Sequence, residues 1–166
     1  EEDYRTIMGE VLPKRAKLRA MNLLQGREYT TSQLRTKLLQ GFYPPKIIEQ
    51  AIDYVAGFHY IDDLRYAVDY ITYHEDSRSR RRIEQDLQGK GILAATIEEA
   101  WQVWRENGGK QDEQAMIREL LHKKHYDTEG ETDWKERQKI YAFLARKGFS
   151  AEVIRKAIGG MHGDDF

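Results

Sequence analysis

The chain has 166 residues, of which 40% are hydrophobic and 33% charged; 27 basic and 28 acidic side chains almost cancel, and Cys is absent. This length supports one globular domain or a short array of small units, while the composition excludes disulfides and thiolate metal sites, and no apolar stretch approaches the ~20 residues that span a bilayer. A soluble, cytoplasmic protein is expected, and the near-neutral charge counts against a dedicated nucleic-acid domain, which is usually basic.

The chain begins at Glu1 rather than Met, which leaves room for preceding residues. Three Pro and five Val among abundant Glu, Lys, Arg, Gln, Leu and Ala favour helix over strand. After a lead-in over 1–13, an amphipathic segment runs from Ala16 to Leu24, with Lys14, Arg15, Lys17 and Arg19 at its start and Gly26 as a stop. Thr30-Thr31-Ser32-Gln33 fits a capping box, and Pro44-Pro45 opens a further helix that Gly57 ends. A second amphipathic segment covers Leu64 to Tyr73. Arg78, Arg80, Arg81 and Arg82 then lead into a helical run, and Gly108-Gly109 is a stop. A third amphipathic segment covers Ala115 to Leu121, Asp133 with Glu136 fits another capping box, and 161–166 reads as an acidic tail ending on Asp164 and Asp165.

A repeat organises these elements. Leu34, Ile83 and Ile140 form one column and Leu38, Leu87 and Leu144 the next; Tyr43, Ile92 and Phe149, then Ile48, Ile97 and Ile154, then Ala51, Ala100 and Ala157, then Ile52, Trp101 and Ile158 continue it. The spacings within each copy place these residues on single faces of two helices. With the upstream segment, each copy has three helices. The expected fold is all-α, a tandem array of three three-helix repeats over 14–58, 59–108 and 109–160, elongated or curved because each unit is too small to bury its apolar face alone. A radius of gyration clearly above the about 15 Å of a compact chain of this length would mark such an array.

The stretch Phe58-His59-Tyr60-Ile61-Asp62-Asp63-Leu64-Arg65-Tyr66-Ala67, followed by Arg78-Ser79-Arg80-Arg81-Arg82-Ile83-Glu84-Gln85-Asp86-Leu87-Gln88-Gly89-Lys90-Gly91-Ile92, resembles the RecX family of bacterial recombination regulators. The resemblance spans roughly Ala16 to Ile158, and its signature residues here are Tyr60, Ile61, Asp62, Asp63, Arg65, Tyr66, Lys90, Gly91 and Ile92. Three features depart from the family pattern. Gln40-Gly41-Phe42-Tyr43-Pro44 displaces the usual lysine-glycine-aromatic order, Ser79 stands where glycine is common, and an extra loop lies between Lys124 and Trp134. The resemblance implies a non-catalytic protein that binds the RecA recombinase and its filament on single-stranded DNA and suppresses ATP hydrolysis and strand exchange, in DNA repair, recombination and the SOS response. No cofactor and no metal are expected.

Other patterns have structural readings. Tyr60-Ile61-Asp62-Asp63 looks like the metal-holding turn of reverse transcriptases, but a helix follows, and one Asp is expected to be its N-cap. Gly89-x-Gly91-x-x-Ala94 has the outline of a dinucleotide loop without the strand that should precede it. Glu119, His122 and His125 share spacing suited to a metal, with Lys123 and Lys124 between them, and a solvated face is expected. Tyr66, Tyr70 and Tyr73 form one helical stripe, expected to pack in the core, as are Trp101 and Trp104.

Four Arg within five positions at a helix start oppose the helix dipole. Arg78, Arg80, Arg81, Arg82 and Lys90 can meet a DNA backbone or an acidic protein surface, or form a solvated entrance balanced by Glu84 and Asp86. Lys14, Arg15 and Lys17 are a second candidate contact. Reversal of Arg80, Arg81 and Arg82 to Glu is expected to weaken a filament contact without altering helicity or melting. The alternative is a helical module that contacts nucleic-acid backbone directly, as homeodomain-like units do. No feature forces a dimer, and a monomer is expected.

Overall fold

A computed structural model describes residues 1–126 and 134–159. The chain runs through α1 (Glu2–Thr6), a π-helical turn (Ile7–Val11), α2 (Leu12–Gly26), α3 (Thr31–Gln40), α4 (Pro45–Gly57), α5 (Asp63–His74), α6 (Arg80–Gly89), α7 (Ala94–Glu106), α8 (Glu113–Lys123), α9 (Trp134–Arg146) and α10 (Ala151–Gly159). No strand occurs among the described residues. After the lead-in, the helices form three consecutive sets of three, in agreement with the repeat. Asp133, the loop over 127–133 and the tail over 161–166 lie outside the described residues.

Local chemistry sets the helix ends. Thr30 is the N-cap of α3: its Oγ1 accepts from the Gln33 N–H at 3.2 Å, and Gln33 Oε1 accepts from the Thr30 N–H at 3.1 Å. Pro45 opens α4, where its missing N–H costs nothing. Asp62 Oδ1 accepts from the Arg65 N–H at 3.1 Å, so Asp62 is the capping residue of the acidic pair. Of the repeat columns, only Tyr43 and Ile158 are not buried.

Two compact units divide the chain, Glu1–Asp69 with Leu87–Val103, and Tyr70–Asp86 with Trp104–Phe166. In the first unit, Ala16 and Ala20 of α2 meet Leu34 and Leu38 of α3 and Ile48, Ala51, Ile52 and Val55 of α4. In the second, Ile117 and Leu121 of α8 meet Ile140 and Leu144 of α9 and Ile154 of α10. Burying one such Leu or Ile contributes about 1.5–3 kcal/mol, so these faces drive the folding of each set.

Each unit contains the same joint between one three-helix set and the next. In the first unit, Asp63, the first residue of α5, accepts from the Thr31 N–H at the first residue of α3, at 2.8 Å. In the second, Glu113, the first residue of α8, accepts from the Arg80 N–H at the first residue of α6, at 3.1 Å. Each carboxylate thus satisfies an amide that a helix start leaves without an intrahelical partner. A turn glycine seals each joint. Gly91 has φ +83° and lies so close to Ser32 that a Cβ would overlap that side chain; Gly148 has φ +95°, and a Cβ there would come within 2.7 Å of Arg82 Cβ and Ser79 Oγ. The hydroxyl residues at the joints, Thr30 and Ser79, are the fully buried polar residues of the described chain. Thr30 Oγ1 donates to the Lys90 carbonyl at 2.7 Å, and Ser79 Oγ accepts from the Arg82 N–H at 3.1 Å. The sequence departure at Ser79 is therefore a helix cap.

In the first set, the position of Gly91 and Gly148 is held by Phe42, with φ 63° and 94% exposure. A left-handed backbone at such a residue costs about 1–2 kcal/mol. Phe42→Gly relieves this strain, offset in part by the flexibility of Gly when unfolded. The expected result is a gain of about 1 kcal/mol in urea unfolding; no gain would mean the Phe42 backbone is unstrained.

Candidate functional site

The Arg run starts on the turn before α6 and continues along its first turn. Arg78 donates through Nη1 to the Tyr70 hydroxyl and to Asp86 Oδ2, both at 2.7 Å, and the Tyr70 hydroxyl donates to the same carboxylate oxygen at 3.0 Å. Arg82 Nε meets Asp86 Oδ1 at 3.1 Å, and Arg80 Nε donates to Glu84 Oε1 at 2.8 Å. Arg81 is exposed, and no ion pair engages it among the described residues. Acidic residues on the same helix, together with Glu113, offset the dipole cost of the run. Asp86 is the centre of this network: its side chain is 17% exposed and gathers two guanidinium groups and a phenol.

Burial, followed by the Asp86 carboxylate, pushes the Tyr70 pKa up, and Arg78 opposes it. Only part of the tyrosine stripe therefore behaves as expected. Ala67 and Ile71 form the buried face of α5, Tyr70 is half-buried in the polar network, and Tyr73 is 83% exposed. Tyr73 lies beyond the apolar arc because Ala67 and Ile71 set it. Trp101 and Trp104 are buried as expected; Trp104 Nε1 donates to Glu75, whose carbonyl accepts from Gln111 Nε2 at 3.1 Å.

Lys90 lies elsewhere, in the first unit. There it lines a cleft of about 310 Å³ together with Arg27, Tyr29 and Lys37. Lys14 and Arg15 are exposed on α2, whereas Lys17 places Nζ 4.9 Å from the Tyr54 ring centroid. Of the signature residues, Asp63, Lys90 and Gly91 meet the first set at the joint, whereas Tyr60 is half exposed. Ile61 and Ile92 are buried, Arg65 donates to the His59 carbonyl at 2.9 Å, and Asp63 and Gly91 make the contacts described above. Glu119 pairs with Lys123 at 3.1 Å, and no three His, Asp or Glu side chains converge on a metal position among the described residues. No helix among them is long and apolar enough to cross a membrane.

Sequence reading missed the carboxylate joints. Asp63 and Glu113 each begin a helix four residues before a buried residue, Ala67 and Ile117, and this shared register is the signal that could have found them.

These features define an all-α protein of linked three-helix units, with an Arg-rich helix entrance and a basic cleft on its surface. Three family models, described as the first, second and third three-helix domains of RecX, match residues 16–54, 62–100 and 111–158. The chain belongs to the RecX family. A regulatory protein RecX from Chromobacterium violaceum is 33% identical over 153 residues, covering 92% of this chain and 95% of the relative. Another from Clostridioides difficile is 30% identical, covering 95% of this chain and 73% of the relative. A crystal structure of RecX from Lactobacillus salivarius matches 90% of this chain and 96% of that one with a TM-score of 0.69 at 21% identity, which supports the fold.

Proposed function

We propose that the protein is a non-catalytic, cytoplasmic regulator that binds the RecA filament on single-stranded DNA and suppresses its ATPase and strand exchange. The observation that carries this reading is the ordered match of all three domains to a family whose curated relatives are named regulatory proteins. Units linked in series can engage successive recombinase subunits and restrain the subunit motions that ATP turnover requires. The protein is proposed to act as a monomer.

Arg81 is the contact favoured on the Arg-rich entrance, because Arg78, Arg80 and Arg82 are engaged within the fold. This pairing changes the expectation for the triple reversal. Glu at positions 80 and 82 would face Glu84 and Asp86, so that variant would melt earlier as well as bind less. Arg81→Glu separates the two effects. It is expected to weaken cosedimentation with the filament about tenfold while leaving the circular dichroism and melting curve unchanged. Unaltered cosedimentation would remove Arg81 from the contact.

A second reading, direct binding of nucleic-acid backbone, is favoured by the cleft that brings Arg27, Lys37 and Lys90 together. Three phosphate contacts to a single strand would give log affinity a slope of about −2 against log salt. A flat salt response would exclude it.

A further inference from the structure

The two joints show how this chain covers the end of a three-helix set: a helix opening on a carboxylate is placed against it. The third set carries the same face on α9 and α10. Residues 137 and 138 stand in the columns of Thr31 and Ser32, and Ile158 in the column of Ile52 and Trp101. Ile52 and Trp101 are 5% and 1% exposed, but Ile158 is only half-buried. A groove of about 620 Å³ opens there, lined by Trp134, Tyr141, Ala142 and Ile158 and flanked by Arg137 and Arg155. Trp134 is 63% exposed, and the Arg137 Nε is buried without a hydrogen-bond partner among the described residues. A buried donor of this kind is satisfied by an incoming acceptor. In this set α9 starts three residues before Arg137, so its backbone amide lies inside the helix, and the guanidinium is the group available to receive an anion.

We propose that this face docks a segment of a partner protein that opens a helix on Asp or Glu and carries apolar or aromatic side chains. Charge complementarity argues for it: two Arg flank an apolar floor, and the corresponding faces of the first two sets receive Asp63 and Glu113. A second copy of the chain fits poorly. At the positions of Asp63 and Gly91, its first set offers Leu12 and the exposed Phe42. The proposal does not depend on the recombinase being that partner.

The test uses the full chain and two synthetic peptides with its own residues 60–75 and 110–125, which contain the α5 and α8 starts and no Trp. Trp134 fluorescence reports binding, because Trp101 and Trp104 are buried; Trp134→Phe should abolish the signal. The expected result is saturable binding, weakened about tenfold by Arg155→Glu, an exposed position, and by Asp63→Asn or Glu113→Gln in the respective peptide. Arg137→Glu should act in the same direction, with circular dichroism reporting whether the third set remains folded. Absence of binding by both peptides, or binding indifferent to these charges, would overturn the proposal. Binding that appears only after removal of residues 160–166 would assign the face to the chain's own terminus and would equally overturn it.

Discussion

Gly91→Ala is expected to destabilise the protein by about 3 kcal/mol, because two penalties act at one atom. The backbone at φ +83° costs a residue with a Cβ about 1–2 kcal/mol. The added methyl group also overlaps Ser32 at the start of α3, and overpacking typically costs about 1–3 kcal/mol. A double-mutant cycle separates the two: in a Ser32→Gly background the same change should cost only the backbone part, about 1 kcal/mol. Urea unfolding followed by circular dichroism measures both. A cost below about 1 kcal/mol in the original background would contradict the close approach at this joint.

Asp86→Ala is the second large effect, with an expected cost of about 2–3 kcal/mol. The substitution leaves Arg78 and the Tyr70 hydroxyl without their shared acceptor in a partly buried site and removes the Arg82 pairing. Asp86→Asn keeps a carbonyl acceptor and should cost less. Stability should also fall in alkali. The folded-state pKa of Tyr70 is raised, so the folded chain holds this proton more tightly than the unfolded chain. Its contribution is complete below the ordinary tyrosine value of about 10 and is lost as pH climbs through the raised one. Tyr70→Phe should remove that part of the decline above pH about 10; an unchanged decline would mean Tyr70 does not couple to folding.

The repeat columns were legible in the sequence because burial of a helix face leaves a periodic trace. Leu38, Leu87 and Leu144 are fully buried, as their shared position required. What covers each face was not legible. Asp63 reaches Thr31 across 32 residues, and Thr30 reaches the Lys90 carbonyl across 60, and a single hydrogen bond leaves no periodic trace. The Arg run was half legible. Glu84 and Asp86 lie within one helical turn of Arg80 and Arg82, so their offsetting charge could be anticipated, whereas the Tyr70 contribution is masked by a stripe that resembles core. At Phe42, the displaced glycine order marks a turn that takes no part in either joint, and its left-handed backbone is visible only in three dimensions.

The most direct measurement is the single-strand-DNA-dependent ATPase of a RecA filament titrated with the full chain and with Arg81→Glu. A filament regulator predicts inhibition at well below one molecule per recombinase subunit, weakened by the substitution. ATP turnover unaffected at equimolar protein would contradict it.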